Sequence, residues 1–320
     1  MDVSELGEFG LIERLTRLVA VESPDLIVGP GDDAAVFRSG DQFLIATTDT
    51  MVEGVHFDSL FGTWADVGWR ALATNVSDIA AMGGTPTFAL VTLALPKNTP
   101  VGAMDALYAG LGECARAYGV TIAGGDVVRA DEVVITVALL GRAETLDGQP
   151  LLLRRSAACP GDAIAVTGTL GDSAAGLRRL QESAAMSDYA RNRHLRPSPR
   201  VDAGQMAVRA GVRCGIDISD GLLQDVGHIC EASGAGAILR ASSIPLSDAL
   251  RAAFPDEALE LACTGGEDYE LVLVGPRDLL AALAGVTVIG EVVAERGVRV
   301  LDDDGNEITF ERPGWDAFHS

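Results

Sequence analysis

The stretch Phe43-Leu44-Ile45-Ala46-Thr47-Thr48-Asp49-Thr50-Met51-Val52-Glu53-Gly54-Val55-His56 decides how this chain is read. Its first four residues form a short apolar run typical of a buried strand, so Asp49 and its hydroxyl neighbours are expected where that strand opens into a loop. Carboxylate and hydroxyl oxygens are hard ligands suited to a hard divalent cation, which commonly bridges carboxylates to phosphates. Taken alone, Thr47 to Thr50 is equally a polar turn that closes a strand. Repetition changes the reading: Gly31-Asp32-Asp33, Asn75-Val76-Ser77-Asp78, Gly124-Gly125-Asp126, Asp217-Ile218-Ser219-Asp220 and Gly265-Gly266-Glu267-Asp268 all set acids beside glycine, hydroxyl or amide residues.

Outward from that stretch, apolar residues at helical spacing predict helices over 8–20, 64–82 and 101–117, and apolar runs predict strands over 34–37, 88–95, 120–123 and 132–140. On the second of these helices Asn75 and Asp78 share a face. Gly124-Gly125-Asp126 is expected as a glycine turn at a strand end, with backbone N–H groups free to converge on an anion. Residues 143–155 turn polar, and a domain boundary is placed near residue 148, dividing the chain into 1–148 and 149–320. The second part alternates strands (163–167, 214–218, 237–239, 269–274, 286–292) with helices (174–180, 201–210, 222–232, 247–254, 277–283), an α/β layer with a mixed sheet. Between its first two helices, Arg191 to Arg200 reads as a basic, proline-punctuated connector, for which a solvated loop is reading enough.

A chain of 320 residues, 48% apolar, can bury a sizeable core, and its length favours two domains. The net charge of −22, from 46 acids and 24 bases, disfavours a nucleic-acid or anionic-membrane surface. The five cysteines lack metal-site spacing, and no leader or membrane-span pattern is visible, so a cytoplasmic protein with reduced thiols is expected. There is no P-loop, nucleophile elbow, H-R-D or H-E-x-x-H motif. Six acidic clusters without a covalent nucleophile point to several divalent cations holding a polyphosphate, because phosphoryl transfer asks mainly for positioning and charge neutralisation. From the residues alone, the conclusion is a metal-dependent phosphate enzyme.

Gly7-Glu8-Phe9-Gly10-Leu11-Ile12, Gly31 to Val36, Thr48 to Phe57, Ser77 to Gly83, His194 to Arg200, Ile218 to Leu222 and Gly265 to Leu271 together resemble the thiamine-monophosphate kinase family. The resemblance implies ATP-dependent phosphorylation of thiamine monophosphate, with Mg²⁺ as cofactor. The fold it implies has an α+β N-terminal domain whose sheet pairs into a barrel in a homodimer, and a C-terminal α/β sandwich. It places metal ligands at Asp33, Thr47, Thr48, Asp49, Asp78, Asp126, Asp217 and Asp220. Nucleotide contacts fall on Gly125, Asp126, Arg155 and Ser219, and substrate contacts on His56, Glu267 and Trp315. Within the pattern, Val127 stands where threonine is common, Thr74 where valine is common, and Arg155 to Cys159 lacks the usual glycine and lysine. A sibling synthetase or hydrogenase maturation factor of the same superfamily would share the acidic motifs but not Val52 to Phe57 together with His194 to Arg200. A non-catalytic ion-binding module remains a third reading.

Overall fold

The computed structural model describes residues 2–19, 23–182 and 188–315. Its first half contains α1 (Val3–Val19), β1 (Leu26–Val28), β2 (Ala35–Ser39), β3 (Gln42–Val52), α2 (Trp64–Ala81), β4 (Thr85–Leu95), α3 (Val101–Tyr118), β5 (Thr121–Arg129) and β6 (Val134–Arg142). The strands form one sheet in the order β1-β2-β3-β6-β4-β5. Two expectations are corrected here. Asp49 lies inside β3 rather than beyond its end, because Thr47 to Val52 continue to pair with Val134 to Leu139 of β6. Gly124-Gly125-Asp126 likewise lies inside β5, paired with Leu90 to Thr92 of β4. A side chain at Gly125 would meet the Val91 carbonyl at 1.7 Å, so this strand can pass only with glycine there.

Helix α2 is the centre of the molecule. It starts with a capping box between Thr63 and Asp66. Residues on every side of it are buried, because it packs on β3, β6 and α3 in its own half and on α6 and β10 in the other. The α2–α3 crossing depends on two reciprocal glycines: a Cβ on Gly68 would lie 1.9 Å from the Leu107 carbonyl oxygen, and one on Gly110 would lie 1.8 Å from that of Ala65.

The second half contains the hairpin β7 (Glu144–Leu146) and β8 (Gln149–Leu151), then β9 (Ala163–Thr167), α4 (Asp172–Gln181), α5 (Asp188–Leu195), α6 (Val201–Ala210), β10 (Cys214–Asp217), α7 (Leu222–Ser233), β11 (Gly236–Arg240), α8 (Asp248–Ala253), α9 (Ala258–Thr264), β12 (Leu271–Gly275), α10 (Arg277–Ala281), β13 (Val286–Val293), β14 (Gly297–Leu301) and β15 (Glu307–Ile308). Residue 148 falls in the turn between β7 and β8. The larger sheet runs β10-β12-β9-β13-β11-β14-β15 and is mixed, with β11 and β14 parallel and the other pairs antiparallel. The hairpin, α9, β14 and β15 were not expected from the sequence.

The basic connector is no solvated loop. Its first part is α5; Arg196 clasps it to the first half, while Arg193 and Arg200 anchor it within the second. Arg196 donates to Asp66 Oδ1 at 2.5 Å and to Glu113 Oε2 at 2.7 Å, with its guanidinium 5.6 Å from the centre of the Trp69 ring. Trp69 Nε1 donates to the Pro197 carbonyl at 2.9 Å. Arg193 and Arg200 both donate to the fully buried Glu270, which also accepts from Thr167 Oγ1 at 2.5 Å. No helix among the described residues is long and apolar enough to cross a membrane.

Gly110→Ala is expected to lower stability by about 1–3 kcal/mol, the usual cost of forcing atoms into a close-packed contact. Denaturant unfolding should show the loss as a lower midpoint with an unchanged slope. A variant with the wild-type midpoint would mean the helices are not held this close.

Candidate active site at the junction of the two halves

Four elements converge below α2. The turn before β2 brings Asp33, β3 brings Thr47 and Asp49, α2 brings Asp78, and the C-terminal end of β10 brings Asp217. Carboxylate oxygens of Asp33, Asp78 and Asp217 all lie within 4.8 Å of one another. Thr47 Oγ1 donates to Asp78 Oδ2 and Ser77 Oγ to Asp217 Oδ2, each at 2.5 Å. Asp49 is held by its backbone, whose N–H donates to Asn75 Oδ1 at 3.2 Å. Arg155 reaches the group from one side: its side chain donates to Asp33 Oδ1 at 2.5 Å, and its backbone N–H donates to Asp32 Oδ1 at 2.6 Å. So Asp32 fixes the loop, while Asp33 belongs to the cluster.

Burial raises the carboxyl pKa of Asp33, Asp49, Asp78 and Asp217, most clearly at Asp78 and Asp217. Neighbouring carboxylates add to the effect: Asp49, Asp217 and Asp33 on Asp78, and Asp33 on Asp217, which is pushed up to about 8. Asp33 Oδ2 is buried without a hydrogen-bond partner among the described residues. An orphaned buried oxygen among crowded carboxylates fits a hard divalent cation, whose charge would reverse this electrostatic logic.

Beside the cluster is a cavity of about 810 Å³. It is lined by Thr48, Asp49, His56, Arg70, Asp78, Ser219, Asp220, Glu267 and Trp315 among others, and is continuous with the acid cluster at Asp78 and Asp49. His56 Nδ1 accepts from the Val52 N–H at 3.1 Å, which leaves Nε2–H as the donor the ring offers. Burial lowers its pKa, so the ring is neutral. His56 meets Trp315 edge-on, with centroids 6.1 Å apart. Trp315 is fixed by its N–H to the Asp220 carbonyl at 3.1 Å and by Gln224 Nε2 donating to its own carbonyl at 2.7 Å.

Gly125 and Asp126 stand apart. They lie on the exposed outer strand β5, where Asp126 Oδ1 accepts from the Val127 N–H at 2.9 Å. The pairings Thr50↔Thr136↔Thr92↔Asp126 put Asp126 three strands from β3, about 14 Å at ordinary strand spacing. Within one chain the structure therefore does not bring Asp126 to the cluster.

Several site residues escaped the sequence reading. Asp225 is buried, with a pKa raised well above its usual value by burial and by Asp220 and Asp217, and it accepts from the N–H groups of Asp220 and Gly221. Its position five residues after Asp220, in the first turn of α7, was a usable signal. Ser77 was visible as part of the Asn75 to Asp78 cluster and of the Ser77 to Gly83 motif, but not as a partner of Asp217. Arg70 and His194 gave no local sign of reaching the cavity.

Fold and site together define an AIR synthase related protein: the model of that family's N-terminal domain matches residues 31–143, and that of its C-terminal domain matches residues 159–303. The chain is 39% identical to thiamine-monophosphate kinase of Escherichia coli (strain K12) over 98% of both chains. It is 38% identical to that of Bacillus subtilis (strain 168) over 98% of this chain and 100% of the relative. It also superposes on the solved structure of AaThiL complexed with AMPPCP and TMP with a TM-score of 0.88, 34% identity and 99% coverage of each chain. The chain belongs to the thiamine-monophosphate kinase family.

Asp217 supplies a test of the crowding. In an unfolded chain an aspartate ionises near 3.8, whereas folded Asp217 keeps its proton up to about 8. Its contribution to stability is fully present below pH 3.8 and is lost as pH rises towards 8. In metal-free protein, Asp217→Asn should therefore gain on wild type in Tm as pH is raised across that interval, and saturating Mg²⁺ should reverse the order. Parallel Tm profiles for the two proteins would show that the acids do not repel one another.

Proposed function

We propose that this chain transfers the γ-phosphoryl group of ATP to thiamine monophosphate, giving thiamine diphosphate and ADP, by direct in-line transfer assisted by several Mg²⁺ ions. The observation that carries this reading is the junction at Asp78, where a buried group of carboxylates opens into a cavity of about 810 Å³. The choice of substrates rests on the AaThiL relative, complexed with AMPPCP and TMP.

In this assignment Asp33, Thr47, Thr48, Asp49, Asp78, Asp217 and Asp220 would hold the metal, Arg155 and Ser219 the nucleotide, and His56, Glu267 and Trp315 the acceptor, while Gly125 and Asp126, which one chain does not bring to the cluster, would contribute to metal and nucleotide only across the dimer. Mg²⁺ held by these carboxylates would supply the positive charge that offsets the phosphate oxygens of the two substrates. The acceptor's phosphate oxygen is already anionic and needs no general base. It bonds to the γ-phosphorus as the bond to the β,γ-bridging oxygen breaks, and ADP leaves with that electron pair. Neutral His56 and the edge of Trp315 orient the acceptor, and the walls of the cavity limit water.

Residues 1–148 would then be the metal- and nucleotide-binding, dimerising domain and 149–320 the C-terminal α/β domain of a cytoplasmic homodimer. The dimer reading is supported by the open face and edge of the first sheet, where Phe88, Leu90, Val127, Val128 and Leu140 are exposed. Sedimentation at micromolar concentration should give twice the chain mass of 33.3 kDa. A fully active monomer would remove the barrel from the account.

The reaction is tested by incubating the protein with γ-labelled ATP, Mg²⁺ and thiamine monophosphate. Label should appear in thiamine diphosphate, and Asp49→Asn should abolish this while keeping the wild-type circular dichroism. Without acceptor, quenched protein should carry no covalent label. A labelled protein that discharges into thiamine diphosphate would overturn direct transfer, and absence of labelled thiamine diphosphate would overturn the function itself.

A further inference from the structure

Among the described residues lining the cavity, Arg70 is the one guanidinium, and it is 4% exposed in the middle of α2. A guanidinium buried in a core helix is costly unless it is paired, and the partners of Arg70 come from the other half of the molecule. One is the Glu267 carboxylate, which accepts from Arg70 Nη2. Others are Tyr269, beside the guanidinium, and His194, whose Nε2 lies 3.2 Å from Arg70 Nη1. A guanidinium only donates, so His194 Nε2 must accept, and the imidazole proton sits on Nδ1. That proton lies between Ser173 Oγ at 3.1 Å and Glu267 Oε2 at 3.5 Å. Burial, and then Arg70, push the His194 pKa down to about 4, so the ring stays neutral.

The segment carrying Glu267 is held against its own preference. Glu267 and Tyr269 have φ of 66° and 51°, a left-handed backbone that non-glycine residues avoid. Their N–H groups are pinned to the carbonyls of Ser219 and Ile218, and Asp268 between them accepts from the N–H groups of Gly171 and Ser173. The Glu267 side chain is nevertheless 31% exposed. A strained loop, a buried cation and a neutral histidine thus combine to hold one carboxylate at the cavity wall.

We propose that Arg70, with His194, is a positioning residue that fixes Glu267 as an anion for the cationic ring of the acceptor, and so sets the cavity's preference for a charged acceptor. This rests on the function proposed above. With Arg70 already paired to Glu267, a second positive charge on His194 would leave the group net positive towards a cationic ring, which is why the neutral imidazole matters.

The test measures kcat and KM for both substrates in Arg70→Met, Arg70→Lys, Glu267→Gln and the Arg70→Met/Glu267→Gln double variant, with Tm for each. Arg70→Met and Glu267→Gln should each raise KM for thiamine monophosphate about tenfold or more, the cost of losing a charged hydrogen-bond partner. KM for ATP should stay within about twofold, so that the loss is confined to acceptor binding. Arg70→Lys should recover part of the loss. Arg70→Met alone leaves the half-buried Glu267 carboxylate without its cation and should lower Tm; the double variant should regain Tm while KM stays as high as in either single variant. Recovery of KM together with Tm, or equal rises in both KM values, would mean that Arg70 is merely structural. An unchanged KM for thiamine monophosphate in Arg70→Met would overturn the proposal outright. Wild type is assayed in parallel: if it makes no thiamine diphosphate the function fails, and if it does while Arg70→Met matches it, only this inference fails.

Discussion

Asp33, Asp78 and Asp217 share a space in which burial and mutual repulsion both oppose ionisation. Protein groups offset this only in part: Thr47 and Ser77 each donate one hydrogen bond, and Arg155 pairs with Asp33 alone. A fold selected for stability would not bring three acids from three distant segments into contact without a further cation. The rest of the architecture follows from that requirement. Helix α2 has to be buried on all sides to carry Asp78 to the end of β10, and this demands the glycine contacts with α3 and, through Gly204, with α6.

The same constraint explains the clasp. The cluster draws Asp33 and Asp78 from one half and Asp217 from the other, so any sliding of the halves would disperse it. Arg196 ties α5 to Asp66 and Glu113 of the first half, and the Trp69–Pro197 hydrogen bond adds a neutral tie. Arg193 and Arg200 bind the same connector to Glu270 at the start of β12, and a carboxylate with no exposure and three side-chain donors is a rigid anchor. The anchor within the second half is thus a fully buried carboxylate, a kind of pair that holds geometry better than exposed surface pairs do, while the ties of Arg196 to the first half are partly exposed.

Much of this was legible locally. Apolar runs identified most strands, and acids beside glycine, hydroxyl or amide residues located the segments that bring Asp33, Asp49, Asp78 and Asp217. What failed was the position of those acids within their elements. Thr47 to Thr50 looked like a loop because Asp49 interrupts the apolar pattern, yet the β-branched threonines suit a strand and β6 supplies the pairing. Gly124-Gly125 looked like a turn because glycine usually marks one, whereas here it permits close approach to Val91. The connector from Arg191 to Arg200 looked solvated because its partners Asp66, Glu113 and Glu270 lie 70 to 130 residues away in sequence. Arg70 was invisible for the same reason: an arginine on a helix reads as surface until the whole circumference is known to be buried.

The distribution of arginines has a consequence for phosphate binding. Arg155 is bound to Asp33, Arg70 to Glu267, Arg193 and Arg200 to Glu270, and Arg196 to Asp66 and Glu113. The basic residues nearest the cavity are thus occupied by carboxylates before any substrate arrives. In a chain with net charge −22, a polyphosphate entering such a site meets an uncompensated negative field. Cations from solution are the remaining source of positive charge, and the crowded carboxylates are placed to collect them. Committing arginine to geometry and leaving charge neutralisation to metal separates two tasks that a P-loop enzyme gives to one lysine-bearing loop. It also accounts for a phosphate site built almost entirely from acids.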